Sequence, residues 1–130
     1  MLKVRVFSFS YLQGGIPVDD SGNGGGFVFD CRFITNPGKF DEYKSKTGKD
    51  FDVKFFLETQ TEMPEFLKNV YSIIDKAVDK YDARGFTSLM VAFGCTGGQH
   101  RSVYAAEAVA KRIAEKFPNV LYEINHKNLH

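Results

Sequence analysis

A thiol, two hydroxyls, a carboxamide, an imidazole and a guanidinium fall within nine consecutive residues, Gly94-Cys95-Thr96-Gly97-Gly98-Gln99-His100-Arg101-Ser102. An apolar run, Ser88 to Phe93, precedes them, and a helical pattern opens near Val103. A strand, a glycine-rich turn and a helix start together make an anion cradle. Glycines admit close backbone approach, and the N–H groups of the first helical turn point at the ligand, reinforced by the helix dipole. The plainest chemistry is a phosphate grip: backbone amides from Thr96 to Arg101 hold the oxygens and Arg101 adds a bidentate, charge-assisted clamp. Ser102 either touches the ligand or caps the helix.

Two other chemistries compete for the loop. Cys95 and Arg101 stand in the spacing Cys-x5-Arg, followed by Ser102, which resembles the phosphate loop of protein tyrosine phosphatases. In that reading the Cys95 thiolate attacks phosphorus, Arg101 grips the oxygens and Asp30 serves as the acid. Gly94, however, stands where those enzymes usually carry histidine. A nucleotide P-loop needs Gly-x4-Gly-Lys-Ser/Thr, and Gly48-Lys49-Asp50 does not supply it, which disfavours Walker-type hydrolysis.

Outside the loop, Arg32 is the guanidinium expected to converge with Arg101 on one anion; its alternative is an ion pair with Asp30 or Asp50. Asp30 is read chiefly as orienting an arginine, and Asn36 before Pro37 as a turn residue more than a ligand contact. Cys31, opposite Asp30 on an extended chain, reads as a small core hydrophobe. His100 is open between structural and functional readings. No metal-ligand spacing occurs, and no cofactor is expected.

These groups need elements to position them. Leu2 to Phe9 alternates as a strand, Tyr11 to Gly26 is a long glycine-rich loop, and Phe27 to Asp30 is a short apolar strand. Asn36-Pro37-Gly38 and Thr47-Gly48-Lys49-Asp50 are turn signals. Pro64 to Arg84 carries Phe66, Val70, Ile73, Ile74, Ala77, Val78 and Tyr81 at helical spacing, with Gly85 at the C′ position. Val103, Ala106, Ala110, Ile113 and Phe117 mark a second helix, and Val120 to Ile124 a last strand. This order predicts an α/β fold with a mixed, partly parallel sheet of about four strands and two main helices. Ligands in such sheets sit beyond the carboxyl ends of the strands, where residues 94–102 fall.

The 130 residues, 43% hydrophobic and 25% charged, fit one soluble domain spanning 1–130. With no apolar run long enough to span a bilayer and no signal-type segment, the expected address is cytoplasmic. A net charge of +1 gives no electrostatic case for nucleic acid. A third class, an RNA-binding adaptor using Lys111, Arg112 and Lys116 on one side of the second helix, competes with a solvated charged face.

Several separated motifs resemble the C-terminal domain of the RapZ/YvcJ family. They are Phe7-Ser8-Phe9-Ser10-Tyr11 with Gly15-Ile16-Pro17, Phe29-Asp30-Cys31-Arg32-Phe33-Ile34-Thr35-Asn36-Pro37, Thr47-Gly48-x-Asp50, the 94–103 loop, and a closing Asn125-His126-Lys127-Asn128-Leu129 against the family's His-Arg-Asp-Leu. The resemblance implies a non-catalytic module that binds a phosphorylated amino sugar, glucosamine-6-phosphate. Carried over by position, the pocket is Asp30, Arg32, Asn36, Cys95, Thr96, Gly97, Gly98, His100 and Arg101, with Ser102 beside it. It further implies homo-oligomer assembly, RNA binding in some members, and a nucleotide-binding annotation that belongs to an N-terminal P-loop domain absent from these residues. This chain carries Gly38-Lys39 where the family often has His or an aromatic, and Lys127 nearly alone where RNA-binding members have a basic tail, which weakens the RNA reading.

Overall fold

The computed structural model describes residues 1 to 129. Four strands, β1 (Lys3–Ser10), β2 (Phe27–Asp30), β3 (Ser88–Cys95) and β4 (Leu121–His126), join three helices, α1 (Phe51–Gln60), α2 (Met63–Ala83) and α3 (Arg101–Lys116). The strands form one sheet in the order β2-β3-β1-β4. The expected four-stranded α/β sheet is therefore present, and every pairing in it is parallel.

Parallel crossovers are right-handed with few exceptions. The step from β1 to β2 crosses the sheet in the opposite sense to the steps from β2 to β3 and from β3 to β4. Its connection must then run over the opposite face from the helices, and residues 11–26 do so. Val4, Val6, Leu89, Val91, Phe93 and Cys95 face the helices in the main core. Phe7, Phe9, Met90 and Ala92 face the other way, with Tyr11 packed on them and Gly24 to Gly26 lying beside Met90. The loop is held by its own side chains: Asp19 accepts N–H bonds from Ser21 and Gly25, Asp20 pairs with Arg5, and Asn23 donates to the Ser88 carbonyl at 3.0 Å. Two layers result, helices on one face and a glycine-rich blanket on the other.

The periodic segments behave as their spacing demands. In α2, Leu67, Val70, Ile74 and Val78 are buried, although Ile73, assigned to the same stripe by spacing, is 46% exposed. Gly85 follows α2 with φ of 77°. In α3, Val103, Ala106, Ala110 and Ile113 are buried, and the helix starts two residues earlier than its apolar pattern does, at Arg101. Helix α1 has no counterpart in the sequence reading. Its apolar residues do not share a face: Val53 and Leu57 are buried, while Phe51 and Phe55 are 77% and 55% exposed and stack on each other outside.

Phe93 is fully buried, stacked on Phe29 at 5.4 Å and meeting Phe66 edge-on. Phe93→Ala is expected to cost about 3–5 kcal/mol in urea unfolding. Phe51→Ala, on the exposed face of α1, should stay within about 0.5 kcal/mol of the wild type.

Candidate functional site

Strands β1 and β3 are neighbours, with Ser10 opposite Cys95 at their carboxyl ends. The chain leaves β1 toward the loop-covered face and leaves β3 toward the helix-covered face. A crevice opens where connections diverge in this way, and ligands of open parallel sheets bind there. Residues 94–102 line it and are pinned from both sides. Ser10 Oγ donates to the Thr96 carbonyl at 2.6 Å, the Tyr11 N–H donates to the Cys95 carbonyl at 3.0 Å, and the Cys31 N–H to the Gly94 carbonyl at 2.8 Å.

Gly94 has a steric cause. A Cβ there would stand 2.4 to 2.6 Å from the rings of Phe9 and Tyr11, so the histidine of a tyrosine phosphatase does not fit. Cys95 points with Leu89, Val91 and Phe93 into the helix-side core, is 2% exposed, and its thiol lies 3.1 Å from Ser102 Oγ. Ser102 is thus engaged beneath the loop rather than capping the helix, where His100 holds the N-cap position without a side-chain capping bond. Thr96 and Gly97 are exposed, and Gly98 is buried with φ of 71°. The first N–H groups of α3 have no intrahelical acceptor by construction.

Arg101 is the anchor of the site. The residue is 3% exposed, with Nη1 donating to the carbonyls of Arg32 at 2.9 Å and Ile34 at 2.8 Å and Nη2 reaching Thr96 Oγ1 at 3.4 Å. Its buried Nε has no hydrogen-bond partner, and no carboxylate among the described residues pairs with it. Segment 32–36 is held for this contact by Glu62, which accepts the N–H and hydroxyl of Thr35.

Arg32 takes the ion-pair alternative with Asp30, not Asp50. Their side chains bond at 2.8 to 3.1 Å, and the Arg32 guanidinium lies 3.8 Å above the Tyr11 ring. Arg32 therefore does not converge with Arg101 side chain to side chain; it is the Arg32 carbonyl that Arg101 grips. Both members of the Asp30–Arg32 pair are nearly half exposed. The Arg32 hydrogen bonds hold the Asp30 carboxyl below its ordinary range, with a smaller pull from Arg101, while burial pushes the Tyr11 phenol and the Cys31 thiol up. Asn36 accepts the Gly38 N–H at 2.9 Å, the turn role, and His100 Nε2 donates to the Tyr43 carbonyl at 2.9 Å. Both flank Gly38, so the segment that departs from the family pattern is packed by His100.

Turn 47–50 turns out to be the underside of the cradle. The Gly48 N–H donates to the Gln99 carbonyl at 2.8 Å, and a Cβ on Gly48 would stand 2.3 Å from the His100 carbonyl oxygen. The sequence marked Gly48 and Asp50 only as a turn. It also left Tyr11, Ser10 and Asn128 outside the site, although all three sit in the quoted motifs. A part-buried chain of polar groups also carries no sequence signal: His126 Nδ1 lies 2.6 Å from Ser8 Oγ, and its Nε2 2.7 Å from Glu107.

The basic side of α3 is largely answered by acid. Arg112 and Lys116 both bind Asp75 of α2, and Lys111 faces Glu115. A cleft of about 480 Å³ between the helices, lined by Gly48, Lys49, Lys54, Tyr71, Tyr104 and Lys111, lies on the far side of the 47–50 turn, and its two acids are engaged, Glu58 by the Tyr104 hydroxyl at 2.6 Å and Glu107 by His126. Among the described residues no cluster of three His, Cys, Asp or Glu side chains is arranged to hold a metal, and no helix is long and apolar enough to cross a membrane.

A family model, the RapZ C-terminal domain, matches residues 2–130. A "Nucleotide-binding protein" of Fervidobacterium nodosum is 41% identical over 120 residues, covering 92% of this chain and 40% of the relative. Similar proteins of the same name occur in Thermosipho melanesiensis, 41% identical over 84% of this chain and 37% of the relative, and Lacticaseibacillus casei, 34% over 98% and 40%. The chain thus spans about two fifths of the length of the curated relatives it matches.

Gly48→Ala, which forces the turn off the first turn of α3, is expected to destabilise by about 1–3 kcal/mol in urea unfolding. The Arg112 and Lys116 bonds hold the Asp75 carboxyl below its ordinary value of 3.8. A carboxyl depressed on folding stabilises above the unfolded value and loses that contribution as pH falls through the folded one. Asp75→Asn should therefore lower stability at pH 7 and flatten its decline below about pH 4, read from denaturation midpoints across that range.

Proposed function

This chain belongs to the RapZ C-terminal domain family, and on that footing we propose that the crevice between β1 and β3 binds the phosphate of a small phosphorylated metabolite without transforming it. The ligand class is an amino-sugar phosphate such as glucosamine-6-phosphate, as the family resemblance implies.

The observation that carries this reading is Arg101. Arg101 is 3% exposed, its buried Nε has no hydrogen-bond partner, and among the described residues no carboxylate forms an ion pair with it, an arrangement costly to maintain. An unpaired buried charge costs several kcal/mol, and a bound anion removes that cost. The α3 N-terminus adds N–H groups and dipole to the same spot. Asp30 and Arg32, half exposed across the crevice, supply acceptors and donors suited to sugar hydroxyls or an ammonium group.

Phosphatase chemistry receives less support. A nucleophile needs an approach path, and the Cys95 sulfur is buried under the loop and engaged with Ser102. The relatives' name, nucleotide-binding protein, describes chains more than twice this length, and these residues contain no Walker sequence. RNA binding through α3 loses its charge excess to Asp75.

Thermal unfolding with inorganic phosphate, glucose-6-phosphate, glucosamine-6-phosphate and AMP tests the proposal. A ligand at 100 times its Kd stabilises by about 2.7 kcal/mol, a rise of several degrees in Tm. Gly97→Ala is the informative variant: a Cβ there meets nothing within 4 Å, so the fold should be unaffected while the ligand-induced rise shrinks. No rise with any of the four anions would sink the proposal. Hydrolysis of p-nitrophenyl phosphate that Cys95→Ser abolishes would replace it with the enzyme. In the folded protein Cys95 is expected to resist thiol-specific labelling until denaturant is added.

A further inference from the structure

Two segments far apart in sequence, 10–13 and 97–99, meet on one residue, Asn128. Asn128 Oδ1 accepts the Ser10 N–H at 2.8 Å, and its Nδ2 donates to the Gln13 carbonyl at 2.7 Å. Its backbone carbonyl accepts from Gln99 Nε2 at 2.6 Å. Gly98 lies directly against it, since a Cβ on Gly98 would stand 2.9 Å from the Asn128 Cβ. The strap leading to Asn128 is itself fixed, because the Lys127 N–H donates to the Ser8 carbonyl at 2.9 Å and His126 is held between Ser8 and Glu107.

Each bond acts on a wall of the crevice. Ser10 is the residue whose hydroxyl grips the Thr96 carbonyl, and that hydroxyl also accepts the N–H groups of Leu12 and Gln13. Fixing the Ser10 backbone thus fixes the start of the loop on one side and the cradle on the other. Gln99 is clamped from both directions, by Asn128 through its side chain and by Gly48 through its carbonyl. A glycine turn has little conformational preference of its own, so its amides converge only if its neighbours impose the geometry.

We infer that Asn128 is a positioning residue for the anion cradle: it touches no ligand, but its carboxamide and carbonyl hold the 10–13 and 97–99 segments in the arrangement that binds phosphate. The inference rests on the phosphate-binding reading of the same loop. In this chain the amide serves both bonds, donating to Gln13 while accepting from Ser10. An aspartate, which stands at this place in the closing motif of the family, keeps the acceptor and loses the donor.

The test compares wild type, Asn128→Ala, Asn128→Asp and Val78→Ala. Val78 is buried in α2, on an element that takes no part in these bonds, and serves as a destabilised control. Titration calorimetry with glucosamine-6-phosphate should show at least a tenfold weaker Kd for Asn128→Ala, an intermediate value for Asn128→Asp, and an unchanged one for Val78→Ala. Backbone amide exchange without ligand is measured on the same samples. Faster exchange at Ser10 and residues 97–99 is expected in Asn128→Ala, with the strands of the core unaffected. Equal affinity in Asn128→Ala and wild type, or an equal loss in Val78→Ala, overturns the inference. If wild type binds none of the sugar phosphates, the functional reading fails by itself; the exchange data then decide the positioning role, and unchanged exchange at 97–99 overturns it.

Discussion

Buried between α3 and segment 32–34, the Arg101 guanidinium is tied to two carbonyls and the Thr96 hydroxyl and, among the described residues, to no carboxylate, and the geometry of the carboxyl end of the sheet depends on it. The carbonyls of Arg32 and Ile34 lie in the turn that follows β2, and Arg101 satisfies both with one nitrogen. Charge-assisted bonds of this sort are stronger than neutral ones, yet they leave the net charge uncompensated. Glu62 holds the acceptor segment through Thr35, so the start of α2 participates in placing Arg101. The site is thus built into the packing of the fold rather than laid on its surface.

Legibility in the sequence followed the kind of signal each residue emitted. Strands β2 and β3 and helices α2 and α3 announced themselves through apolar period, and their boundaries shifted by only a few residues. Helix α1 emitted none, because Phe51 and Phe55 point outward while Val53 and Leu57 point inward. Within the site, the concentration of glycines and polar groups at 94–102 located the crevice, but which way each side chain faced was not readable there. Cys95 sits on the helix-facing parity of β3, and that parity is set by the parallel register with β1, a tertiary fact. Arg32 likewise turned to Asp30 and Tyr11 instead of Arg101, since a local ion pair and an aromatic face were closer to hand.

Gly48 and Asn128 show a second limit. Each belongs to a short motif that reads as a turn or a chain end, and each acts on residues about 50 or 118 positions away. Turn propensity has no term for what a turn is pressed against. The same holds for His126, whose partners Ser8 and Glu107 come from a central strand and a helix. Polar residues in such positions are legible only after the sheet order β2-β3-β1-β4 is known.

That sheet order also sorts the molecule into two poles. Because β1 and β4 run in the same direction, Lys3 lies beside Leu121 and Ser8 beside His126. The backbone enters at one end of the sheet and departs at the other, separated by a strand length of about 25 Å at roughly 3.3 Å per residue. A fluorophore on Lys3 would stand clear of the crevice, whereas one on Lys127 would crowd its rim. Attachment chemistry for any sensor made from this domain is therefore dictated by strand direction.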